Sequence, residues 1–480
     1  MQNTLILTSF AVFLLIFWTV GFLAARATKL TDHDYLIGDR SFGPWAIGLS
    51  AGATGNSGFI MVGAVGFGYL YGISTLLPAI GIVFGMWLSW RLYAKRVNQH
   101  AASLQALTIP GWLSQHFDRP DSLKLVSRFV ALAFVVLVGA YALAQFLAAS
   151  KTLNALFGWS NTIGVLIAAV TVLAYCVTGG LRASIWTDIF QAIVVMIVTV
   201  ALLIYALFVA GGVNVVTSTL TSIDPNLTDL FGGQNLQAKL IEVIGFTVLG
   251  FGFNLSQPQI IVRMLASKSP EVAKKATNIY IFYIGLTYLT MTLFGVITRV
   301  LFTGLADAEQ ALPIFAMEYL NPVLIGIVIA GLFSTIASTL DSQILVTSSA
   351  LFRDLIPNIY KKLYQLFGMY YWYAATLITG LLIALAAICF QGSVFTIIIV
   401  SGGILIGIVT PAILVVLHNW SSRTQTIILT MLVGTAIAAY WTLSGLGQHI
   451  NESVPTLTGA LLTFFILRYF ENDTAKESKP

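Results

Sequence analysis

A group of hydroxyl-bearing side chains and one carboxylate lies within an otherwise apolar stretch of the chain. Thr335, Ser338, Thr339 and Ser342 recur at i, i+3, i+4 and i+7, so on a helix they share one face, with Asp341 beside them. A hard cation takes oxygen ligands from hydroxyls, carbonyls and carboxylates. These residues therefore predict a cation site. The alternative is that the hydroxyls bond back to carbonyls of their own helix, which leaves the aspartate unexplained.

A second carboxylate, Asp188, lies in another apolar stretch. An ionisable residue is costly within a membrane and marks a functional site. Two buried carboxylates cannot both ionise without a counter-ion, so Asp188 and Asp341 predict either a bound cation or a proton. No lysine or arginine is expected at the depth of the bilayer midplane. This favours a neutral or zwitterionic ligand over an anion.

Two apolar stretches contain residues that interrupt a helix. Residues 50–58 include three glycines, and residues 250–258 include Gly250, Gly252 and Pro258. Glycine and proline weaken the helical ladder, and non-helical backbone survives in a membrane only where it lines a cavity or is buried in protein. We expect unwound backbone in both stretches, with free carbonyls that could join the hydroxyls as ligands. The alternative is that small residues simply allow close helix packing.

The elements that position these residues are membrane-spanning helices. Of 480 residues, 58% are hydrophobic and 9% are charged, whereas a soluble domain carries about 25% charged residues. A bilayer core needs about 20 apolar residues per helix. The sequence predicts an all-α membrane protein with about thirteen transmembrane helices, and both cysteines, Cys176 and Cys389, are expected to be buried in them. The predicted spans are 4–26, 43–71, 74–94, 125–150, 159–178, 183–211, 240–263, 276–303, 320–350, 370–391, 394–418, 424–445 and 453–470.

The basic residues predict the orientation, because Lys and Arg concentrate in cytoplasmic loops. With the N-terminus outside and the C-terminus in the cytoplasm, all but three of the 24 basic residues fall in cytoplasmic segments. Arg263 is counted among the cytoplasmic residues. The first apolar stretch lacks the basic start of a cleavable signal peptide, so we interpret it as a true first helix. We expect a multi-pass protein of the inner (plasma) membrane.

The two interrupted helices each open a set of five, over 43–211 and 240–418. Because five is odd, the second set enters the membrane from the opposite side. This arrangement is typical of inverted repeats, whose interface holds substrate and coupling ion. Residues 1–42 would form a first helix and a cytoplasmic loop, 212–239 an outer loop, and 419–480 two terminal helices and a cytoplasmic tail.

The chain resembles the sodium:solute symporter family, nearest its bacterial sodium/proline permease branch. The resemblance implies that family's fold, an inverted five-helix repeat with a LeuT-like core, one helix before it and two after it. The matching motifs occur in order along most of the chain, at 38–45 with 50–53, 106–110, 179–188, 257–258, 338–343 and 348–350.

The resemblance also implies site residues. The sodium ligands would be the backbone carbonyls of Ala53, Asn56 and Thr335 and the hydroxyls of Ser338 and Thr339. A second cation would use Asp188, Asp341 and Ser342, where Asp341 replaces the hydroxyl residue expected from the family. Substrate contacts would come from Ser57, Gly58, Tyr141, Gly250, Asn254 and Gln257.

Two of these positions bear on the substrate. The proline permeases carry aromatic residues where this chain has Gly250 and Asn254. The pocket should therefore be roomier and more polar than one that holds proline.

The sequence thus predicts sodium-coupled import of a small neutral or zwitterionic solute, such as an amino acid, by alternating access. Sodium, the solute and the lipid bilayer are the expected partners. Proton coupling through Asp188 or Asp341, and sodium symport of a sugar or vitamin-like solute, stay open.

Other classes are disfavoured. The chain has no G-x-x-x-x-G-K-[ST] phosphate loop for an ATP-driven pump, and a channel would more naturally show a ring of identical pore-lining residues. Its five histidines lie in or near loops, so no catalytic base is evident and we expect no enzyme. We expect neither nucleic acid nor an obligatory protein partner.

Overall fold

The computed structural model describes residues 2–29, 31–118, 124–390, 392, 394–420 and 423–477, nearly all of them in helices. Within these ranges no strand forms, and β-type pairing is limited to an isolated bridge between Phe42 and Ser267. Eleven helices in the described part of the chain are long and apolar enough to cross a membrane. The predicted all-α membrane fold is confirmed. Two of the basic residues counted above in cytoplasmic segments, Arg119 and Lys479, lie outside the described residues.

The chain forms helices α1 to α19 in the described ranges, with π-helical turns at Phe134–Val138 and Ala350–Leu355. The first ten are α1 Gln2–Arg26, α2 Asp32–Ile37, α3 Pro44–Tyr71, α4 Leu76–Ser103, α5 Ile109–Phe117, α6 Leu125–Ala133, α7 Gly139–Phe157, α8 Asn161–Val209, α9 Val213–Ile223 and α10 Leu236–Ser256. The others are α11 Pro258–Ala266, α12 Pro270–Leu301, α13 Ala311–Tyr319, α14 Pro322–Ser349, α15 Pro357–Phe367, α16 Met369–Cys389, α17 Val394–Leu417, α18 Thr424–Leu443 and α19 Ser453–Glu477.

The predicted count of thirteen crossings is not confirmed by these eleven candidates. Two of them, Pro44–Ser103 with 60 residues and Asn161–Val209 with 49, are far longer than the roughly 20 residues that one crossing needs. Each contains a glycine at positive φ near the point where the sequence predicted a boundary, Gly72 at 64° and Gly180 at 53°. The count of thirteen therefore stays a prediction.

Two long helices, α12 and α14, begin at recognisable start signals. Ser269 accepts a hydrogen bond from the backbone N–H of Val272, and Asn321 accepts one from that of Leu324. A proline follows each cap, where its missing N–H would have no partner in the helix. These caps fix where α12 and α14 start, and α14 carries the hydroxyl-rich face.

The segment 212–239, predicted as an outer loop, contains the short helix α9, and a second short helix, α13, lies between α12 and α14. α9 buries Val216 and Leu220, one turn apart, and α13 buries Leu312 and Phe315 in the same way. A loop-like composition hid these narrow apolar faces, which form once the bundle offers a surface to pack against. Cys389 also differs from its prediction, because it lies exposed at the end of α16.

Close backbone packing holds α3 against α12. A Cβ atom on Gly68 would overlap the carbonyl oxygen of Thr292, and one on Gly295 would overlap that of Val65. Each helix therefore presents a glycine to the other's backbone, which lets the two axes approach. This contact fixes the helix that carries the first interrupted stretch.

Candidate cation and solute site

Both interrupted helices are confirmed. α3 is helical except at Ser57, whose φ of 51° and ψ of −179° lie outside the helical region. Such a conformation costs of order 1–3 kcal/mol for a residue other than glycine. In the other stretch α10 ends at Ser256 and α11 begins at Pro258, with Gln257 extended between them. Proline cannot donate the backbone hydrogen bond that would continue the helix.

The hydroxyl-rich face of α14 lies against α3 one turn before the break at Ser57. The Ser338 hydroxyl lies 3.1 Å from the Ala53 carbonyl, and that of Thr339 lies 2.9 Å from the Thr54 carbonyl. In return, the Thr54 hydroxyl donates to the Ser338 carbonyl at 3.1 Å. All four residues are buried. Predicted ligands from two distant parts of the chain thus meet in one place.

The same hydroxyls also lie near their own helix. The Thr335 carbonyl is 3.1 Å from the Thr339 hydroxyl and 3.3 Å from that of Ser338. Each hydroxyl has one proton and donates to one carbonyl at a time, while its lone pairs stay free for a cation. Back-bonding and cation binding are therefore compatible. Asn56 is held by α12, since its side-chain Nδ2 donates to the Thr287 hydroxyl at 3.0 Å.

Arg263 corrects the expectation that no basic residue lies deep in the bundle. It was assigned to a cytoplasmic segment, yet it is 0% exposed. Its Nη2 lies 2.8 Å from Asp188 Oδ2, 2.8 Å from the Ser184 hydroxyl and 2.6 Å from the Ser342 hydroxyl. Its Nε donates to the Ser50 hydroxyl at 3.0 Å. A guanidinium thus occupies the place predicted for a second cation.

Asp341 belongs to the same polar cluster. Its Oδ1 accepts hydrogen bonds from Ser342 at 2.7 Å and Ser184 at 3.0 Å, and its Oδ2 accepts one from the Tyr175 hydroxyl at 3.0 Å. With all groups ionised, the two carboxylates and one guanidinium leave one net negative charge. Oδ1 of Asp188 is buried and lacks a hydrogen-bond partner among the described residues. One further cation or one proton would therefore neutralise the net charge of the cluster.

Thr54 joins this cluster to the predicted sodium ligands. Its hydroxyl lies 3.3 Å from Asp188 Oδ2 and 3.1 Å from the Ser338 carbonyl. A cation among Ala53, Ser338 and Thr339 would thus be one hydroxyl away from a carboxylate, whose negative charge favours its binding.

Two cavities adjoin the break in α3. The large cavity, about 830 Å³, is lined by Gly58 and Gln145, and the small cavity, about 320 Å³, is lined by Ser57 and Tyr141. Phe59 and Ile398 line both cavities, which therefore adjoin at these residues. The Tyr141 hydroxyl donates to the Ser57 hydroxyl at 3.3 Å. Three predicted substrate residues, Ser57, Gly58 and Tyr141, therefore border cavities of ligand size.

Gly250 and Asn254 were predicted to make the pocket roomier and more polar, but they do not lie in it. A Cβ atom on Gly250 would overlap the carbonyl oxygen of Ile82, so this glycine packs α10 against α4. The Asn254 side chain donates to the Met86 carbonyl at 3.1 Å and accepts from the Tyr280 hydroxyl at 2.7 Å. Neither is among the residues that line the two cavities. The sequence does not reveal which face of α10 is covered by α4.

Gln257 and Glu452 are two further buried polar side chains in this region. Gln257, also a predicted substrate residue, accepts a hydrogen bond from the Gln259 side chain at 3.0 Å, and its own buried Nε2 has no partner among the described residues. Glu452 lines the small cavity from the start of α19. Sequence reasoning passed over Glu452 because it lies outside both repeats. The available signal was a carboxylate directly before an apolar run, with no basic residue nearby.

Known proteins have sequences similar to most of this chain. A model of the sodium:solute symporter family matches residues 35–457. The chain belongs to the sodium:solute symporter family. Sodium-coupled import of a small solute is its function, and sodium is its co-transported ion.

Two relatives of this symporter show how far the similarity extends. The high-affinity proline transporter PutP of Bacillus subtilis (strain 168) is 26% identical, over 93% of this chain and 94% of that protein. The sodium/proline symporter of Escherichia coli (strain K12) is 30% identical, over 75% and 72%. The resemblance to the proline-permease branch is therefore confirmed.

Solved structures confirm the fold of the symporter. A Na⁺-coupled sialic acid symporter in a substrate-bound outward-open state gives a TM-score of 0.80 at 17% identity, covering 98% of both chains. Mhp1, a nucleobase-cation-symport-1 family transporter, gives 0.57 at 14% identity over 93% of this chain and 95% of its own. At these identities the likeness concerns the fold alone.

Proposed function

We propose that this symporter binds its sodium ion between α3 and α14 and imports a neutral or zwitterionic amino-acid-like solute by alternating access. The ligands are the carbonyls of Ala53, Asn56 and Thr335 and the hydroxyls of Ser338 and Thr339. The observation that carries the proposal is the meeting of the Ser338 and Thr339 hydroxyls with α3 carbonyls, at 3.1 and 2.9 Å, beside a helix break. Oxygen atoms this close together can converge on one hard cation.

The ion couples to solute because it joins two elements that border the solute cavities. Sodium holds α14 against α3 next to Ser57, so its binding favours the arrangement in which these helices touch. Solute then binds beside Ser57 and Tyr141. When the ion leaves, this attachment weakens and the cavity can open to the other side. A membrane potential contributes about 2.3 kcal/mol per 100 mV for each charge that moves inward.

The lining of the small cavity disfavours an anionic solute. Among the residues described as lining the two cavities, Lys151 is the one basic side chain, and it borders the large cavity. An anionic group in the small cavity would have to rely on the sodium ion. The two relatives named for proline support an amino acid as the solute class.

The polar cluster around Arg263 bears on the second cation predicted at Asp188, Asp341 and Ser342. Arg263 already supplies one positive charge there. We infer that the remaining negative charge is balanced by sodium at the adjacent site. Proton coupling is the second candidate, supported by the unpartnered Oδ1 of Asp188.

The test uses purified protein and sodium alone, since no solute needs to be known. The double variant Ser338→Ala with Thr339→Ala should lose the rise in melting temperature that NaCl causes relative to KCl. For the unchanged protein this stabilisation should reach about 1.4 kcal/mol at a sodium concentration ten times the dissociation constant.

The control removes the same number of hydroxyls from the same helix. Thr347→Ala with Ser349→Ala lies two turns further along α14 and should keep the sodium response. A sodium response that survives in the Ser338/Thr339 variant would contradict the site. A response to pH in KCl that replaces the sodium response would favour proton coupling.

A further inference from the structure

A buried carboxylate reaches the small cavity from outside the two predicted repeats. Glu452 lies directly before α19 and is only 8% exposed. Among the residues described as lining this cavity, it is the one that carries a charge. The small cavity is therefore electrostatically polarised by a helix that the predicted repeats do not include.

The turn that carries Glu452 is fixed in place. The Asn451 side chain accepts a hydrogen bond from the Ser453 backbone at 3.0 Å, across the turn that precedes α19. A Cβ atom on Gly245 of α10 would lie 2.9 Å from Asn451, so the turn packs closely on α10. Cβ positions on Gly403 and Gly447 lie 3.8 and 3.7 Å from the two carboxylate oxygens. Two glycines thus leave the space beside the carboxylate free of side chains.

Within the described residues, no lysine, arginine or histidine pairs with Glu452. Its carboxylate accepts a hydrogen bond from its own backbone N–H, and burial raises its pKa above the usual range. A buried charge without a partner is unfavourable. A positive charge on a bound solute would supply that partner.

The walls of the same cavity suit a cation. Aromatic rings attract positive charge to their faces, most strongly where water is excluded. A cavity with many rings and a single carboxylate has the chemistry that recognises protonated amines and quaternary ammonium groups. The rings that line it belong to Phe59, Phe67, Tyr141, Phe246, Phe253 and Tyr288.

We propose that Glu452 binds the positively charged nitrogen of the transported solute, so that the solute must carry an amino or quaternary ammonium group. This inference rests on the proposed function and narrows its solute class, since it excludes sugars and simple acids. Ion coupling would then depend on α3 and α14, whereas solute selection would depend in part on α19. The remainder of the solute faces Ser57 and Tyr141 in the same cavity.

The experiment compares probes of equal shape that differ in charge. L-proline is paired with tetrahydrofuran-2-carboxylate, trimethylglycine with 3,3-dimethylbutanoate, and choline with 3,3-dimethylbutanol. Binding of each probe to the purified full-length protein is measured by thermal shift in NaCl and in KCl. We expect that the probes that bind do so in sodium and that each carries the positively charged nitrogen, while its partner without that nitrogen does not bind.

Variants connect this preference to Glu452. Glu452→Gln should weaken binding of the probes with a positively charged nitrogen roughly 10-fold or more, because the buried partner charge is lost. Its melting temperature without probe should be unchanged or higher, because an unpaired buried charge has been removed. Glu318→Gln, an exposed site on α13, should bind like the unchanged protein. A merely structural role for Glu452 would instead lower stability and leave probe affinity unaltered.

Several outcomes would overturn the proposal. These are equal binding within the pairs, unaltered affinity in Glu452→Gln, or a failure of every probe with a positively charged nitrogen to bind. If the Gln variant does not fold, the comparison within pairs on the unchanged protein decides alone. Binding that is equal in sodium and potassium would contradict the sodium site and leave the role of Glu452 intact. Sodium-dependent binding of the probes that lack a positively charged nitrogen would contradict the role of Glu452 and leave the sodium site intact.

Discussion

Arg263 explains how two carboxylates can lie together inside an apolar bundle. Removing charges from water is costly, and a buried pair is tolerated when hydrogen bonds satisfy both partners. Here Ser50, Ser184 and Ser342 accept hydrogen bonds from Arg263. Ser50 and Thr54 donate to Asp188 Oδ2, and Asp188 Oδ1 has no partner among the described residues. The sequence reveals each residue type but not this assembly, because α3, α8, α11 and α14 each contribute to it. Its position near the predicted end of a span placed Arg263 in a cytoplasmic segment, because the sequence does not show how α11 packs.

Charge balance in this cluster is testable through stability. Arg263→Gln should lower the free energy of unfolding by about 3–5 kcal/mol, because it leaves buried carboxylates uncompensated. Adding Asp188→Asn returns the cluster to one net negative charge and should restore part of the loss. Melting temperatures in KCl measure both effects.

A surface ion pair provides the control for this comparison. Lys95→Gln disrupts the exposed pair with Glu271 and should change little. If the double variant is no more stable than Arg263→Gln alone, Arg263 does not act as the counter-ion of Asp188.

At the level of helices, two pairs repeat the same contact. Gly68 and Gly295 bring α3 and α12 together, and Gly85 and Gly250 do the same for α4 and α10. In the predicted repeats, α3 and α4 open the first set, while α10 and α12 open the second. The two helix pairs are therefore counterparts. This reciprocity supports the inverted repeats, whose boundaries stay predictions.

The same contact predicts the effect of Gly250→Ala. Its added methyl group would meet the Ile82 backbone, which cannot move aside like a side chain. We expect a loss of about 1–3 kcal/mol in stability, measured as a lower melting temperature. Gly285→Ala is the control, since its nearest neighbour would be Val83 at 3.7 Å. If Gly250→Ala leaves stability unchanged and impairs solute binding, Gly250 belongs to the substrate site after all.

The sequence predicted these elements unevenly, for physical reasons. The breaks at Ser57 and Gln257 were predictable because glycine and proline act locally. α9 and α13 were missed because short amphipathic helices depend on the surface they cover. The face that Asn254 presents was unpredictable, since only packing decides whether α4 or a cavity lies against it.

For the molecule as a whole, the distribution of basic residues predicts the orientation. α15 follows the hydroxyl-rich helix α14 and carries the exposed Lys361 and Lys362, whereas α9 lies in a segment poor in basic residues. Because basic loops are retained in the cytoplasm, α15 should face the cytoplasm and α9 the outside. Sodium would then enter from the side of α9.

Cysteine labelling distinguishes this orientation from its opposite. In a background with Cys176→Ser and Cys389→Ser, Ser222→Cys in α9 should react with a membrane-impermeant maleimide on intact cells. Asn358→Cys in α15 should react only after the cells are permeabilised. Both positions are exposed, and neither substitution alters the charge that sets the topology. The reverse pattern would place the N-terminus in the cytoplasm and require sodium to enter from the side of α15.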